Sequence, residues 1–340
     1  MAFLSGTVED MAELMTTLRT FLTGDPLTPG RDWTLEELRP TRNASGNNVI
    51  YSDGSLRNEW VISNVGENGL ENIIVGFREY QITATGNFGC NLNCYTSWQA
   101  GYVNFNQNSA LHGRSGYSND SYYQMPLLPL SNSAMSYWFF SNKNRIMIVV
   151  KTSSYYQSCY LGFGIRQGSP SEYPYPLVAI GTVNGYNGHI WSTLNSQAQF
   201  FATPNLNTVD SNTLCPFIVN PLGQYASSAS GWRGLSFLPG AVWSYSSRTF
   251  LFTYGADGKI MMFPIYILMD NNVLMSLDGA SRVSFSDPEI QSEDVLVHEG
   301  KQWIVFNNVY RVTREHYMAI NTGVDAPATT TTTTTTTSST

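Results

Sequence analysis

Apolar residues recur at helical spacing only near the start of the chain. Val8, Met11, Met15, Leu18 and Leu22 fall on one stripe, widened by Leu14 and Phe21. Thr7 is placed to cap this helix, and Glu9, Asp10 and Glu13 complement its positive end. Gly24 and Pro26 then stop it. A second, one-turn helix is expected from Thr34, with Glu37 three residues on as a capping box. Two uses are open for the amphipathic N-terminal helix: a plug in its own domain's core, or docking on a neighbouring subunit.

From Asn58 onward the period shortens to that of strands. Residues 59–63 and 72–82 are β-branched and aromatic and are bounded by Asn and Gly. Residues 137–140 and 145–151 form a hairpin around an Asn-containing turn, and the second strand is apolar enough to be buried on both faces. A second hairpin joins 249–254 to 259–268, where Pro264 makes the second strand an edge or a bulged one. A third joins 294–298 to 302–306. Residues 184–243, rich in Asn, Ser, Gly and Pro, are expected to form long loops of the kind that usually serve contacts.

The expected fold is therefore mostly β: antiparallel, sandwich-like sheets with an N-terminal amphipathic helix and long loops. Five segments are expected: a helical segment 1–45, a first β-rich region 46–183, an irregular region 184–245, a C-terminal β-rich region 246–321 and a Thr-rich tail 322–340. The tail's threonine run from Thr329 to Thr337 cannot bury apolar surface. It is expected to order only where a neighbour holds it, which makes Thr329 and Thr337 candidate interface residues.

Composition sharpens this picture. Charged residues are 13 % of the 340, against about 25 % in ordinary globular domains, while aromatics also reach 13 %. Tyr, Trp, Phe and Met are the side chains enriched at interface cores, so a surface largely covered by neighbours is the expectation. A net charge of −7, with no basic cluster, argues against direct nucleic-acid binding. No apolar run is long enough for a membrane span, and the first 22 residues lack the plan of a signal peptide, so folding in a cytoplasm is expected.

Catalytic signatures are missing. The sequence holds no phosphate-cradling glycine loop, no nucleophile elbow and no paired metal-binding histidines. Cys90 and Cys94 have a spacing known from zinc sites but no second pair, so Cys90, Cys94, Cys159 and Cys215 are taken as free thiols, and no metal or cofactor is expected. His298 and His316 fall in or beside strands and are taken as hydrogen-bonded structural histidines. Nothing in their spacing pairs Asp53, Glu59, Asp210, Asp270, Asp287 and Glu289 as glycosidase carboxylates. Trp191 and Trp232, in the irregular region, are either contact anchors or glycan-stacking platforms, whereas Trp303 lies in an apolar strand and is expected in the core.

One stretch is distinctive. Tyr137-Trp-Phe-Phe, Asn142 and Arg145 lead through Val149-Val-Lys151 to Tyr160-Leu-Gly-Phe163 and then Tyr173-Pro-Tyr175-Pro-Leu177. Near the end come Lys301-Gln-Trp-Ile-Val-Phe306, Val309-Tyr-Arg311 and Met318-Ala-Ile320. This order resembles a group of virion structural proteins of tailed bacteriophages, although the double arginine common in that group is here the single Arg145. The resemblance implies a particle role in the tail, baseplate or neck, with no catalytic residues to carry over. It implies as partners further copies of the chain and other tail, baseplate or fibre proteins, and a virion location after synthesis in the host cytoplasm. Alternating prolines stiffen the segment around Tyr173 and Tyr175 into an extended arm, which packs either on a partner or on its own sheet. The rival reading is a glycan-binding adhesion or fibre-like protein that touches the host surface.

Overall fold

The computed structural model describes residues 1–24, 33–42, 47–48, 50, 54–81, 87–101, 105, 126–153, 155–167, 169, 176–183, 217–219, 232–236, 261–269, 272–284, 290–306 and 317–326. Strands dominate. β1 (Ala2–Val8) precedes the helix α1 (Met11–Thr23), followed by β2 (Thr34–Pro40), β3 (Asn58–Asn64), β4 (Ile73–Gln81) and β5 (Asn87–Tyr95). Then come β6 (Pro126–Ser131), β7 (Met135–Ser141), β8 (Arg145–Thr152), β9 (Tyr155–Phe163), β10 (Ile165–Arg166) and β11 (Leu177–Val183). The chain continues with β12 (Phe217–Val219), β13 (Trp232–Ser236), β14 (Met261–Met269) and β15 (Asn272–Ser284). It closes with β16 (Val295–His298), β17 (Lys301–Phe306) and β18 (Tyr317–Asp325).

All the pairings among the described residues are antiparallel and build two sheets. The larger runs β1-β7-β8-β9-β11-β6-β5-β4-β3-β2, with β12 beside β11. The smaller runs β13-β14-β15-β18-β17-β16, with β10 beside β15. β11 joins the halves of the larger sheet: Leu177 to Ile180 pair with β9, and Thr182 and Val183 pair with β6.

Alternation along the central strands divides their side chains between two cores. Met135, Tyr137, Phe139, Ile146, Ile148 and Val150 join Trp60, Val75, Phe77 and Leu92 from the other half of the same sheet, so the sheet folds back over a shared core. Trp138, Phe140, Met147 and Val149 point the opposite way and meet Ile267, Leu274, Phe306 and Ile320 of the smaller sheet. Phe306 sets its ring edge against Trp138 at 5.3 Å. Three β layers result, and β8, apolar on both faces, lies in the middle one, as its sequence predicts.

The helix plugs its own domain. Met11, Leu14, Met15, Leu18, Phe21 and Leu22 are buried in the first core, with Phe21 5.8 Å from Phe139. It starts later than the spacing predicts. Thr7 and Val8 lie in β1, paired with Ser136 and Met135 of β7, and the N-cap is Asp10, whose carboxylate accepts from the Glu13 N–H at 2.9 Å. Pairing with β7 decides the first eight residues, and Asp is a stronger cap than Thr. The capping box expected at Thr34 is also overturned. Thr34–Pro40 is an edge strand paired with β3 around a bulge between Leu35 and Glu37, and an isolated turn of helix cannot compete with that pairing.

Downstream, the residues read as irregular contribute two short strands, β12 and β13. β14 lies inside its sheet, with a register shift between Pro264 and Tyr266, so Pro264 marks a bulge and not an edge. The partner half of that expected hairpin, 249–254, lies outside the described residues.

The distinctive sequence block has a local physical basis. Asn142 Oδ1 accepts from the backbone N–H groups of Asn144 and Arg145 at 2.9 and 2.8 Å, closing the β7–β8 turn. Arg145 is fully buried and its Nε donates to Asp278 Oδ2 at 3.0 Å, tying the two sheets together. Opposite it, Gly162 has φ +123°, and a Cβ there would lie 2.6 Å from Arg145 Cα and closer still to the Asn144 carbonyl. Gly162→Ala is therefore expected to destabilise the protein by roughly 2–3 kcal/mol. The effect should show as a lower urea midpoint with unchanged slope; a loss below about 1 kcal/mol would mean the turn relaxes freely.

Candidate functional site

Polar residues facing outward from β2–β5 line up in register: Arg39 opposite Glu59, Glu59 opposite Arg78, and Arg78 opposite Asn91. Strand alternation puts four consecutive strands' polar residues in one row. Arg39 Nε lies 2.6 Å from Glu59 Oε1 and Arg39 Nη1 2.7 Å from Glu37, while Arg78 Nε lies 3.7 Å from Glu59 Oε2. Glu59 and Arg78 are almost wholly buried, as is the Asn91 side chain. Burial raises the Glu59 carboxyl above its ordinary value, and the Arg78 and Arg39 guanidinium groups offset only part of that rise. With cations on both sides, the row is a set of buried ion pairs whose charges are already engaged.

A second buried carboxylate, Glu79, faces the other way, into the first core. It accepts from the Asn58 N–H at 3.2 Å, and burial pushes its pKa up to about 7 against the weaker pull of Arg57 and Arg19. Cys90, Cys94 and Cys159 are buried, and none of them forms a disulfide. Burial drives the Cys90 and Cys159 thiols well above the ordinary thiol range, which removes the thiolate that nucleophilic chemistry or metal binding needs. No group of three or more His, Cys, Asp or Glu among the described residues could hold a metal ion.

Between the sheets, Glu293 accepts from Lys151 Nζ and from the Tyr156 hydroxyl, both at 2.5 Å. Its partial burial raises its pKa, but those two hydrogen bonds outweigh it and hold the carboxyl below the usual value. Among the described residues, these ion-paired and hydrogen-bonded groups join strands and layers.

The described surface also exposes several large apolar side chains. Of the strands that end the two sheets, β2 exposes Leu35 and Leu38 but is interrupted by its bulge, ends in Pro40 and carries Glu36, Glu37 and Arg39. β1 exposes small residues, Ser5, Gly6 and Thr7. β13 has a register shift between Trp232 and Gly234. β16 differs from all three. It is a regular Val-Leu-Val-His strand with no charge, proline or bulge, and Val295 and Val297 are 55 % and 63 % exposed. Charges, prolines and bulges are how proteins blunt edge strands, and among the described residues β16 has only its short length to do so.

Of the residues singled out from sequence, Trp232 lies on β13, its backbone paired with Met269. Tyr173, Tyr175, Trp191, Thr329 and Thr337 lie outside the described residues. So do Asp53, Asp210, Asp270, Asp287 and Glu289; the remaining glycosidase candidate, Glu59, is bound into the buried row. Trp303 is half-buried and packs with Val283, Val305 and Ala319 on the outer face of the smaller sheet. His298 is half-exposed, its Nε2 3.8 Å from Glu299; His316 lies outside the described residues. Sequence reasoning missed the β16 edge, because the alternation of residues 294–298 says nothing about which strand ends the sheet. It also missed the ion row, of which only Arg78 leaves a local mark, as a short polar break within the apolar stretch 73–82.

No family model matches this chain, and no curated protein matches it. No helix among the described residues is long and apolar enough to cross a membrane.

Proposed function

We propose that this chain is a structural component of a bacteriophage particle, placed in the tail, baseplate or neck and acting by protein–protein contacts without catalysis. The observation that carries the assembly part is the open, apolar β16 edge with its exposed Val295 and Val297. Such an edge is a template for strand addition. Low charge supports the same reading. The phage part rests on the resemblance of the Tyr137–Leu177 and Trp303–Arg311 blocks to structural proteins of tailed phages. Binding energy would come from aromatic and aliphatic anchors, with further copies of the chain and neighbouring tail, baseplate or fibre proteins as partners.

The test is imaging. Concentrated purified protein is expected to form ordered oligomers in negative-stain micrographs, and virions carrying a labelled copy are expected to show the label at a fixed place in the particle. A monomeric chain that binds one glycan strongly and specifically on an array would overturn the scaffold reading in favour of host-surface adhesion.

A further inference from the structure

We infer that β16 pairs antiparallel with β16 of a second copy of this chain, in a register centred on Leu296. This deepens the assembly reading above and rests on it.

The pairing segment is longer than the strand itself. Glu293 N–H donates to the Val305 carbonyl at 2.6 Å, and Val305 N–H donates to the Asp294 carbonyl at 2.9 Å. Backbone bonding to the β17 side therefore runs from Glu293 to His298. Glu293 at φ +78° and Glu299 at φ +51° turn the chain at either end and define a six-residue unit. Its other side meets no partner strand among the described residues.

Symmetry restricts the register. Two copies related by a two-fold axis normal to the sheet must place one residue opposite itself, because directly opposed residues share a face. Centring on Asp294 opposes two carboxylates. Centring on Val295 sets Asp294 against the partner's Leu296. Centring on Val297 sets Val295 against the partner's Glu299, and centring on His298 sets Val297 against it. Centring on Leu296 gives the best match: Leu296 meets the partner's Leu296, Val295 meets the partner's Val297 and Asp294 meets the partner's His298, while Glu293 and the partner's Glu299 stand at the left-handed turns where the extended backbone ends.

Both faces of that joint are then complementary. On one, Val295 and Val297 of the two copies form a four-valine cluster that covers the side chains now exposed. On the other, the two leucines lie between two carboxylate–imidazole pairs, beside Trp303, which is opposite Leu296 in the β16–β17 hairpin. The contact joins two seven-stranded sheets edge to edge. A joint of five residues from each copy, Asp294 to His298, is weak by itself and gains strength from the other contacts of an assembly.

Cysteine cross-linking tests it. In concentrated protein under mild oxidation, Leu296→Cys is expected to form a disulfide-linked dimer in several-fold higher yield than Val295→Cys or the unaltered chain, because only residue 296 faces its own copy. Sedimentation velocity should show Val297→Lys, a change at a well-exposed site, associating roughly tenfold or more weakly, with an ammonium against the partner's Val295. Equal cross-linking of the two cysteine variants, or unchanged association of Val297→Lys, overturns the register and the joint. If that happens while ordered oligomers still form, the β16 pairing falls and the assembly reading stands. If no oligomers form, both fall.

Discussion

Replacing Glu59 with alanine is expected to destabilise the fold by roughly 3–5 kcal/mol, because it leaves the Arg39 and Arg78 charges buried without their shared anion. Arg39 keeps Glu37 at 2.7 Å and Arg78 keeps the Arg42 carbonyl, also at 2.7 Å, so neither guanidinium is stripped bare. What is lost is the charge between them, 2.6 Å from one and 3.7 Å from the other. Urea unfolding reads the effect directly. The triple replacement of Arg39, Glu59 and Arg78 by Met, Leu and Met should recover most of the loss, since exchanging a whole buried ion set for apolar residues is often close to neutral. A Glu59→Ala loss below about 1 kcal/mol would mean that water reaches the row and that it is not a buried element at all.

Glu79→Gln should have the opposite sign and should depend on pH. The ordinary Glu value is 4.5, and in the fold burial brings this carboxyl to about 7. Between those values the folded state binds more protons than the unfolded state, so stability falls as pH rises. The contribution is fully present below the unfolded value and is gone once pH passes the folded one. The interval corresponds to at most roughly 3 kcal/mol at 1.36 kcal/mol per unit. Arg57 and Arg19 oppose the shift but do not cancel it, and the Asn58 N–H bond survives in the amide variant as N–H to carbonyl. Glu79→Gln is therefore expected to match the parent protein near pH 5 and to exceed it near pH 8 by up to that amount. Parallel stability profiles for the two proteins would refute a neutral buried Glu79.

The two effects differ because the neighbours differ. Glu59 lies between two cations in hydrogen-bonded or near-contact geometry, and they offset part of the upward push of its burial. Glu79 has its arginines as weaker influences and a buried thiol, Cys90, across the strand pair. Alternation along adjacent strands sends these two carboxylates to opposite faces of one sheet, and the faces decide which neighbours each one meets.

Much of this was legible in the chain. The 137–151 hairpin follows from an unbroken apolar run and an Asn turn, and the amphipathic stripe from Met11 to Leu22 follows from its spacing. Both are local patterns whose physics needs no distant partner. Thr7 and Thr34 show where local pattern fails. Each heads a plausible capping sequence, and each lies in a strand because β7 or β3 offers it a partner far away in the sequence. The fully buried Arg145 is a similar case: the sequence marks it as part of a block, but its reason for being there, Asp278, lies 133 residues downstream.

The sequence by itself determined that this protein is mostly β, that β8 is buried on both faces and that one helix is amphipathic, because side-chain period and turn chemistry are properties of contiguous residues. Only the tertiary structure decided which strands end the sheets, which polar residues meet in a buried row and which valines stay exposed. Those outcomes depend on strand order, and strand order is set by the free energy of joining residues tens to hundreds of positions apart.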